Sequence, residues 1–176
     1  MNIFFAEKDV AQLVQIANMI TLGKSNIDSF IPTLAWARRQ VQSEHSTLDL
    51  ATVIIIDEVR SDVASHMVRH TAYHPRHYVQ SKRPDWTGVP RPSDPAAKRL
   101  YMSRWPVKSL LAMARQRLCM NAMKETRIWV ASVKSAMLKS NDVLMKAIGE
   151  GMVSICQYRG KCPFGKKGCG RYETTK

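Results

Sequence analysis

Residues 51–59, ATVIIIDEV, hold six β-branched side chains in nine positions. Such residues are stiff at χ1 and pack well on a pleated surface, and the run is too short for a buried helix, so it reads as a strand. Its neighbours read differently. Within residues 8–40, Val10, Leu13, Val14 and Ala17, then Ile31, Leu34, Ala35 and Arg38 after Pro32, recur at helical spacing. Gly23 and the Lys-Ser that follows separate the two helices, with Ser25 or Asp28 as candidate caps. Ser61-Asp62 starts a helix with Val63, Met67 and Val68 on its apolar side, running to about Tyr73, where Pro75 biases His74 out of the helical region. Residues 109–139 form the clearest helical stretch, through Leu110, Leu111, Met113, Ala114 and Leu118. Asn141-Asp142 caps another to about Ile148, Gly149 and Gly151 loosen the turn beyond it, and residues 155–176 are a Cys/Gly/Lys-rich tail. A strand set among helices defines an α+β chain. A length of 176 residues without internal repeats suits one domain over residues 1–176, or one protomer of an oligomer.

Residues 74–106 carry six of the eight prolines and little regular apolar spacing, which predicts a long loop. Loops of that length in a compact domain are functional or disordered. The same part of the chain is basic. The net charge is +13, and residues 69–127 hold thirteen Lys/Arg against three acids, Asp85, Asp94 and Glu125. The stretch VRHTAYHPRHYVQSKRPDW alone, residues 68–86, mixes three arginines, a lysine and three histidines with three aromatic rings. Charge this concentrated points to a phosphate-bearing partner rather than to a uniform solvated coat. The longest apolar run is strand-sized, so no membrane span is expected. Glu7 and Asp9 near the start argue against a signal peptide, and the cysteines then read as reduced thiols in a cytoplasm.

Other constellations carry less. His66, His70 and His74 fall at i, i+4 and i+8, but Arg69 sits among them and no acid or cysteine joins them at ligand spacing, so no metal is assigned there. Cys156-x5-Cys162-x6-Cys169 lacks a Cys-x2-Cys knuckle and is interleaved with lysines. Packed thiols are the preferred reading, with a structural metal completed by a fourth ligand as the alternative. Cys119 reads as a buried helical thiol. The tail glycines lack a Gly-Lys-Ser/Thr ending and a preceding strand, no Gly-x-Gly-x-x-Gly is present, and there is no Ser-His-Asp signature.

Two blocks resemble the flavin-dependent thymidylate synthase family. Arg69-His70 followed by Gln80-Ser81-Lys82-Arg83 is similar to that family's Arg-His-Arg at a helix end and its Ser-x-Arg step. Ser109-Leu-Leu-Ala-Met-Ala-Arg-Gln-Arg117, then Ala122-Met-Lys-Glu125, is similar to its nucleotide-holding arginine helix and Ala-x-x-Glu. Glu44-His45-Ser-Thr-Leu-Asp49 resembles its His-rich entry to the sheet, and the tail resembles shorter, phage-like members; the match spans roughly residues 40–170.

The resemblance implies a central antiparallel sheet flanked by helices, the fold of the thymidylate synthase-complementing proteins, with sites formed between subunits of a homotetramer. It implies reductive methylation of dUMP at C5, with FAD as cofactor and NADPH and methylenetetrahydrofolate as co-substrates. On it, Arg69 and His70 contact the flavin, Lys108 stands for another flavin-contacting arginine, His45 is a flavin neighbour, and Asn121 stands where a flavin-facing histidine is usual. His66 stands where a nucleotide-contacting glutamine is usual. Gln80, Ser81 and Arg83 take the nucleotide, and Arg117 reaches the pyrimidine ring, so Ser81 and Arg117 are the expected catalytic pair. No cysteine nucleophile is implied. Thr71 and Val79 depart from the family pattern, and Arg99 and Arg104 are candidates for its second phosphate-binding arginine. The alternatives are a hydroxymethylating relative, a non-catalytic nucleotide-binding relative, or a nucleic-acid module stacking bases on Tyr73, Tyr78 and Trp86; the resemblance disfavours nucleic acid.

Overall fold

The run at 51–59 is the long second strand of a four-stranded antiparallel sheet ordered β1-β2-β4-β3. The strands are β1 (Asn2–Phe5), β2 (Thr52–Arg60), β3 (Arg76–Val79) and β4 (Lys98–Pro106). The computed structural model describes residues 1–24, 30–81 and 94–172. Helices α1 (Val10–Thr21), α2 (Leu34–Ser43), α3 (Ser61–Met67), α4 (Val107–Arg117), α5 (Lys124–Leu138), α6 (Val143–Gly151) and α7 (Ile155–Arg159) flank the sheet, with short 3-10 turns at Ser46–Leu50 and Gly165–Lys167.

The expected loop over residues 74–106 is corrected at both ends, since it contains β3 and β4. β4 pairs with β2 along its whole length, from Thr52↔Pro106 to Arg60↔Lys98. Its alternation is regular: Arg99, Tyr101, Ser103 and Trp105 are buried between more exposed neighbours. Two of those four are polar, which hides a period-2 pattern when only apolar residues are counted.

Register sorts the sheet into two faces. One carries the rows Ile3–Ile55–Ser103–His77 and Phe5–Val53–Trp105 and is covered by helices, so that Val53, Ile55, Ser103 and Trp105 are fully buried. The other carries Phe4–Ile54–Arg104–Arg76 and Asn2–Ile56–Met102–Tyr78, and is open. Each core side chain such as Leu110, Met137 or Ile148 contributes about 1.5–3 kcal/mol by leaving water.

Several helix limits differ from expectation. The candidate caps Ser25 and Asp28 lie outside the described residues, and the cap of α2 is Thr33, whose Oγ1 accepts from the Trp36 backbone N–H at 3.2 Å. α3 stops at Met67 rather than near Tyr73, and Tyr73 and His74 take left-handed φ values of 58° and 55° ahead of Pro75. Val68, expected on the apolar side, is exposed. The stretch 109–139 is two helices, and the Arg127 Nη1 donates to the Met120 carbonyl at 2.8 Å across the turn between them. Asp142 caps α6 as expected, accepting from Leu144 and Met145 N–H at 2.8 and 2.9 Å. Gly149 and Gly151 lie inside α6 rather than loosening the chain after it. A Cβ on Gly149 would stand 2.9 Å from Met137 Cβ, and one on Gly151 would stand 2.6 Å from Val41 Cγ1. Their role is close approach of α6 to α5 and α2. No helix among the described residues is long and apolar enough to cross a membrane.

Candidate functional site

Four pieces of the fold bring basic side chains together at one end of the sheet. α3 and the turn after it supply His66, Arg69 and His70; β3 supplies His77; the last residue of α4 is Arg117. Arg117 Nε donates to His70 Nε2 at 2.7 Å. An imidazole nitrogen that accepts is unprotonated, so His70 carries its proton on Nδ1. Its acidity agrees. Burial, then the charges of Arg117, His77 and His66, lower the His70 pKa to about 4. Burial likewise lowers His77, and burial with the nearby Arg69 lowers Arg117.

A second hydrogen-bonded pair stands behind the first. His77 Nδ1 lies 2.8 Å from the Tyr101 hydroxyl, and its Nε2 lies 3.4 Å from the His70 carbonyl. A carbonyl can only accept, so Nε2 holds the proton and Nδ1 accepts from Tyr101. Burial drives the Tyr101 hydroxyl far above its usual range, with Ser103 close by pulling the other way. Trp105 closes the floor, edge-on to His77 with ring centroids 4.8 Å apart. His66 is set by Thr126, Nδ1 to Oγ1 at 3.1 Å. Nε of Arg117 is committed to the neutral His70 imidazole, which fixes the plane of the guanidinium and its Nη edge. Among the described residues neither Arg69 nor Arg117 is ion-paired to a carboxylate.

The other expected residues are dispersed. Lys108 is the second residue of the helix that Arg117 ends, nine residues away and hence about 13 Å along its axis. It is ion-paired to Asp49 at 3.0 Å. His45 is exposed, on the wall of a separate cavity of about 360 Å³ with Trp36, Gln15 and Asn18. Asn121 is exposed too, and its Nδ2 donates to the Lys167 carbonyl at 2.7 Å. Gln80 Oε1 accepts from the Leu100 N–H at 3.1 Å, where its backbone N–H also meets the Leu100 carbonyl at 2.8 Å. Ser81 follows directly and is half-buried; Arg83 lies outside the described residues.

Arg99 is more informative than its sequence context. Only 4 % exposed, it donates Nε to Ser61 Oγ at 2.6 Å, while its Nη2 is buried without a hydrogen-bond partner. A buried guanidinium with an idle N–H is costly unless an anion meets it. Arg104 is exposed, directly opposite Arg76. Tyr101 and Thr126 were not singled out from the sequence; the alternation of β4 carries a signal for the first, and none marks the second.

A cavity of about 420 Å³ lies away from this cluster and is lined by Cys119, Cys156, Cys169 and Arg171. Burial and a hydrogen bond with Cys162 push the Cys156 thiol up to about 11. Without a bound cation it is not a thiolate at neutral pH.

The fold recurs in solved structures of a pyrimidine-nucleotide methylase. They are of the UMP/dUMP methylase PolB from Streptomyces cacaoi. The form bound with 5-Br dUMP aligns with a TM-score of 0.61 at 13% identity, covering 87% of this chain and 97% of that one. The form bound with 5-Br UMP gives 0.55 at 11% identity, covering 87% and 96%. At such identities the likeness establishes the fold. No family model and no curated protein matches the chain by sequence.

Proposed function

We propose that this chain is a pyrimidine-nucleotide C5-modifying enzyme acting on dUMP, working as flavin-dependent thymidylate synthases do. The observation that carries this reading is the 2.7 Å bond from Arg117 Nε to His70 Nε2, which fixes an arginine fork inside a cluster of basic groups. The fold shared with a UMP/dUMP methylase supports the ligand class. An Nη edge aimed at the pyrimidine C4 carbonyl stabilises charge that develops on the ring as C5 is attacked. In this reading Arg117 and Ser81 are catalytic, His66, Gln80 and Arg83 complete the nucleotide site, and the idle Nη2 of Arg99 takes a phosphate oxygen.

Arg69 and His70 would hold the FAD, with His45, Lys108 and Asn121 contributed by other copies of the chain. The donor set suits the cofactor's phosphates, because Arg69 and Arg117 bring two cations together without a paired carboxylate among the described residues. Bound flavin would supply hydride, with NADPH as reductant and methylenetetrahydrofolate as carbon source. A homotetramer accounts for two features at once: the open sheet face, and the separation of Lys108 from Arg117 along α4.

The test is titration of the purified protein with FAD, then with dUMP, UMP and dCMP, beside a single-stranded oligonucleotide. The expected result is a saturable change in flavin fluorescence and tightest binding of a uridine monophosphate. Product mass separates methyl from hydroxymethyl transfer. An oligonucleotide that binds best, with no saturable flavin or mononucleotide binding, replaces this reading with a nucleic-acid module.

A further inference from the structure

Cys119 comes to the same region as the three cysteines of the tail, from which it is distant in sequence. Cys119 lies in the turn after α4, Cys156 in the first turn of α7, and Cys162 and Cys169 on either side of the 3-10 turn Gly165–Lys167. Cys156 is hydrogen-bonded to Cys162 and within electrostatic reach of Cys119 and Cys169. Cys119, Cys156 and Cys169 line one cavity of about 420 Å³. Gly168 rests on the fourth sulfur: a Cβ there would stand 2.7 Å from Cys162 Sγ. The Asn121 amide, donating to the Lys167 carbonyl at 2.7 Å, ties the Cys119 turn to the loop between Cys162 and Cys169. No disulfide joins any pair.

Packing does not account for this gathering. Over residues 157–172, Cys162 is the one buried side chain among those described, so the loop has almost no core of its own. Ordering a backbone costs about 1–2 kcal/mol per residue, which a single buried thiol does not offset. The charge pattern has the sign a metal thiolate needs. A divalent ion held by four thiolates is a dianion, and residues 151–172 contain Arg159, Lys161, Lys166, Lys167 and Arg171 but no acid. Among the described residues no three ligating side chains already stand at metal geometry, so the four sulfurs have to draw together on binding, the exposed Cys169, between Gly168 and Gly170, among them.

We infer that Cys119, Cys156, Cys162 and Cys169 form a structural tetrathiolate zinc site that staples the C-terminal loop to the end of α4. Four sulfurs in a tetrahedron suit zinc, and the closed shell leaves no open position for catalysis. Binding replaces four S–H bonds with four Zn–S bonds and releases four protons to solvent, with no change of oxidation state. The site is independent of the proposed nucleotide chemistry.

The test uses the full chain, purified under reducing conditions. Elemental analysis is expected to give one zinc per chain, and chelation to lower the melting temperature. Cobalt added to the stripped protein is expected to give the absorption of tetrahedral thiolate cobalt. Cys169→Ser, which alters an exposed position, is expected to weaken zinc binding by roughly tenfold or more, as loss of one ligand in four does. Failure of the reduced protein to take up stoichiometric zinc overturns the site. So does zinc binding unchanged in Cys169→Ser, iron in place of zinc, or a Cys156–Cys162 disulfide in the native protein by mass spectrometry.

Discussion

The two faces of the sheet are built from alternate residues of the same strands and have opposite characters. On β4, Trp105 and Ser103 are fully buried, while Leu100, on the other face, is 54 % exposed. On β3, His77 turns inward to Tyr101 and Trp105, while its neighbour Tyr78 is 59 % exposed. The inward face is completed by the chain's own helices and carries the histidine–arginine cluster. The outward face gathers Phe4, Ile54, Ile56, Leu100, Met102 and Tyr78, an apolar surface that the helices among the described residues leave uncovered. One face therefore answers to the fold, and the other is left to its surroundings.

That division is open to attack on each side. The largest effect belongs to Trp105→Ala, which removes a fully buried ring beneath His77 and is expected to cost about 3–5 kcal/mol in urea unfolding. A loss of similar size from Leu100→Ala would erase the distinction between the faces. Next comes Arg117→Lys, which keeps the charge and loses the Nε contact to His70 and the planar fork. Calorimetry is expected to show dUMP binding weakened by about 2–3 kcal/mol, with FAD affinity changing much less.

A pH titration sharpens the inner face further. His70 has a folded pKa of about 4 against an ordinary 6.5, so between these values the unfolded chain binds a proton that the folded chain refuses. Stability from this group is complete above about pH 6.5 and declines as pH falls toward 4. His70→Gln, which can still accept from Arg117, is expected to flatten that decline; an unchanged profile assigns it to another group. The smallest change in folding stability belongs to Leu100→Glu. Unfolding of the protomer is expected to move by no more than about 0.5 kcal/mol, whereas light scattering is expected to show a smaller species than the parent.

The sequence was readable wherever one apolar period ruled. β2, α1, α2 and α6 follow from their spacing, and the Asp142 cap from a short polar side chain ahead of an apolar run. β4 was hidden because its buried positions include Arg99 and Ser103, so polarity no longer marks the surface. The break between α4 and α5 has no proline or glycine, and depends on Arg127 reaching back to the Met120 carbonyl. In the candidate site, Arg69, His70 and Arg117 were legible as residues of a basic segment, and they do converge. His77 and Tyr101 were not, since their bond joins two strands whose pairing had not been foreseen. The glycines of α6 were misread for a related reason: only the helix crossing reveals that a methyl group has no room.

Arg76 and Arg104 stand directly across from each other on β3 and β4, both exposed on the open face. Like charges at that spacing repel, and small ions in solution relieve the repulsion. Pairing of β3 with β4 is therefore expected to tighten as ionic strength rises, since screening removes an obstacle within the sheet. Binding of an anionic nucleotide at Arg117, as proposed above, is expected to run the other way, because the same ions screen an attraction. One protein then carries two salt dependences of opposite slope, and plotting both against sodium chloride concentration reads the two faces of the sheet separately.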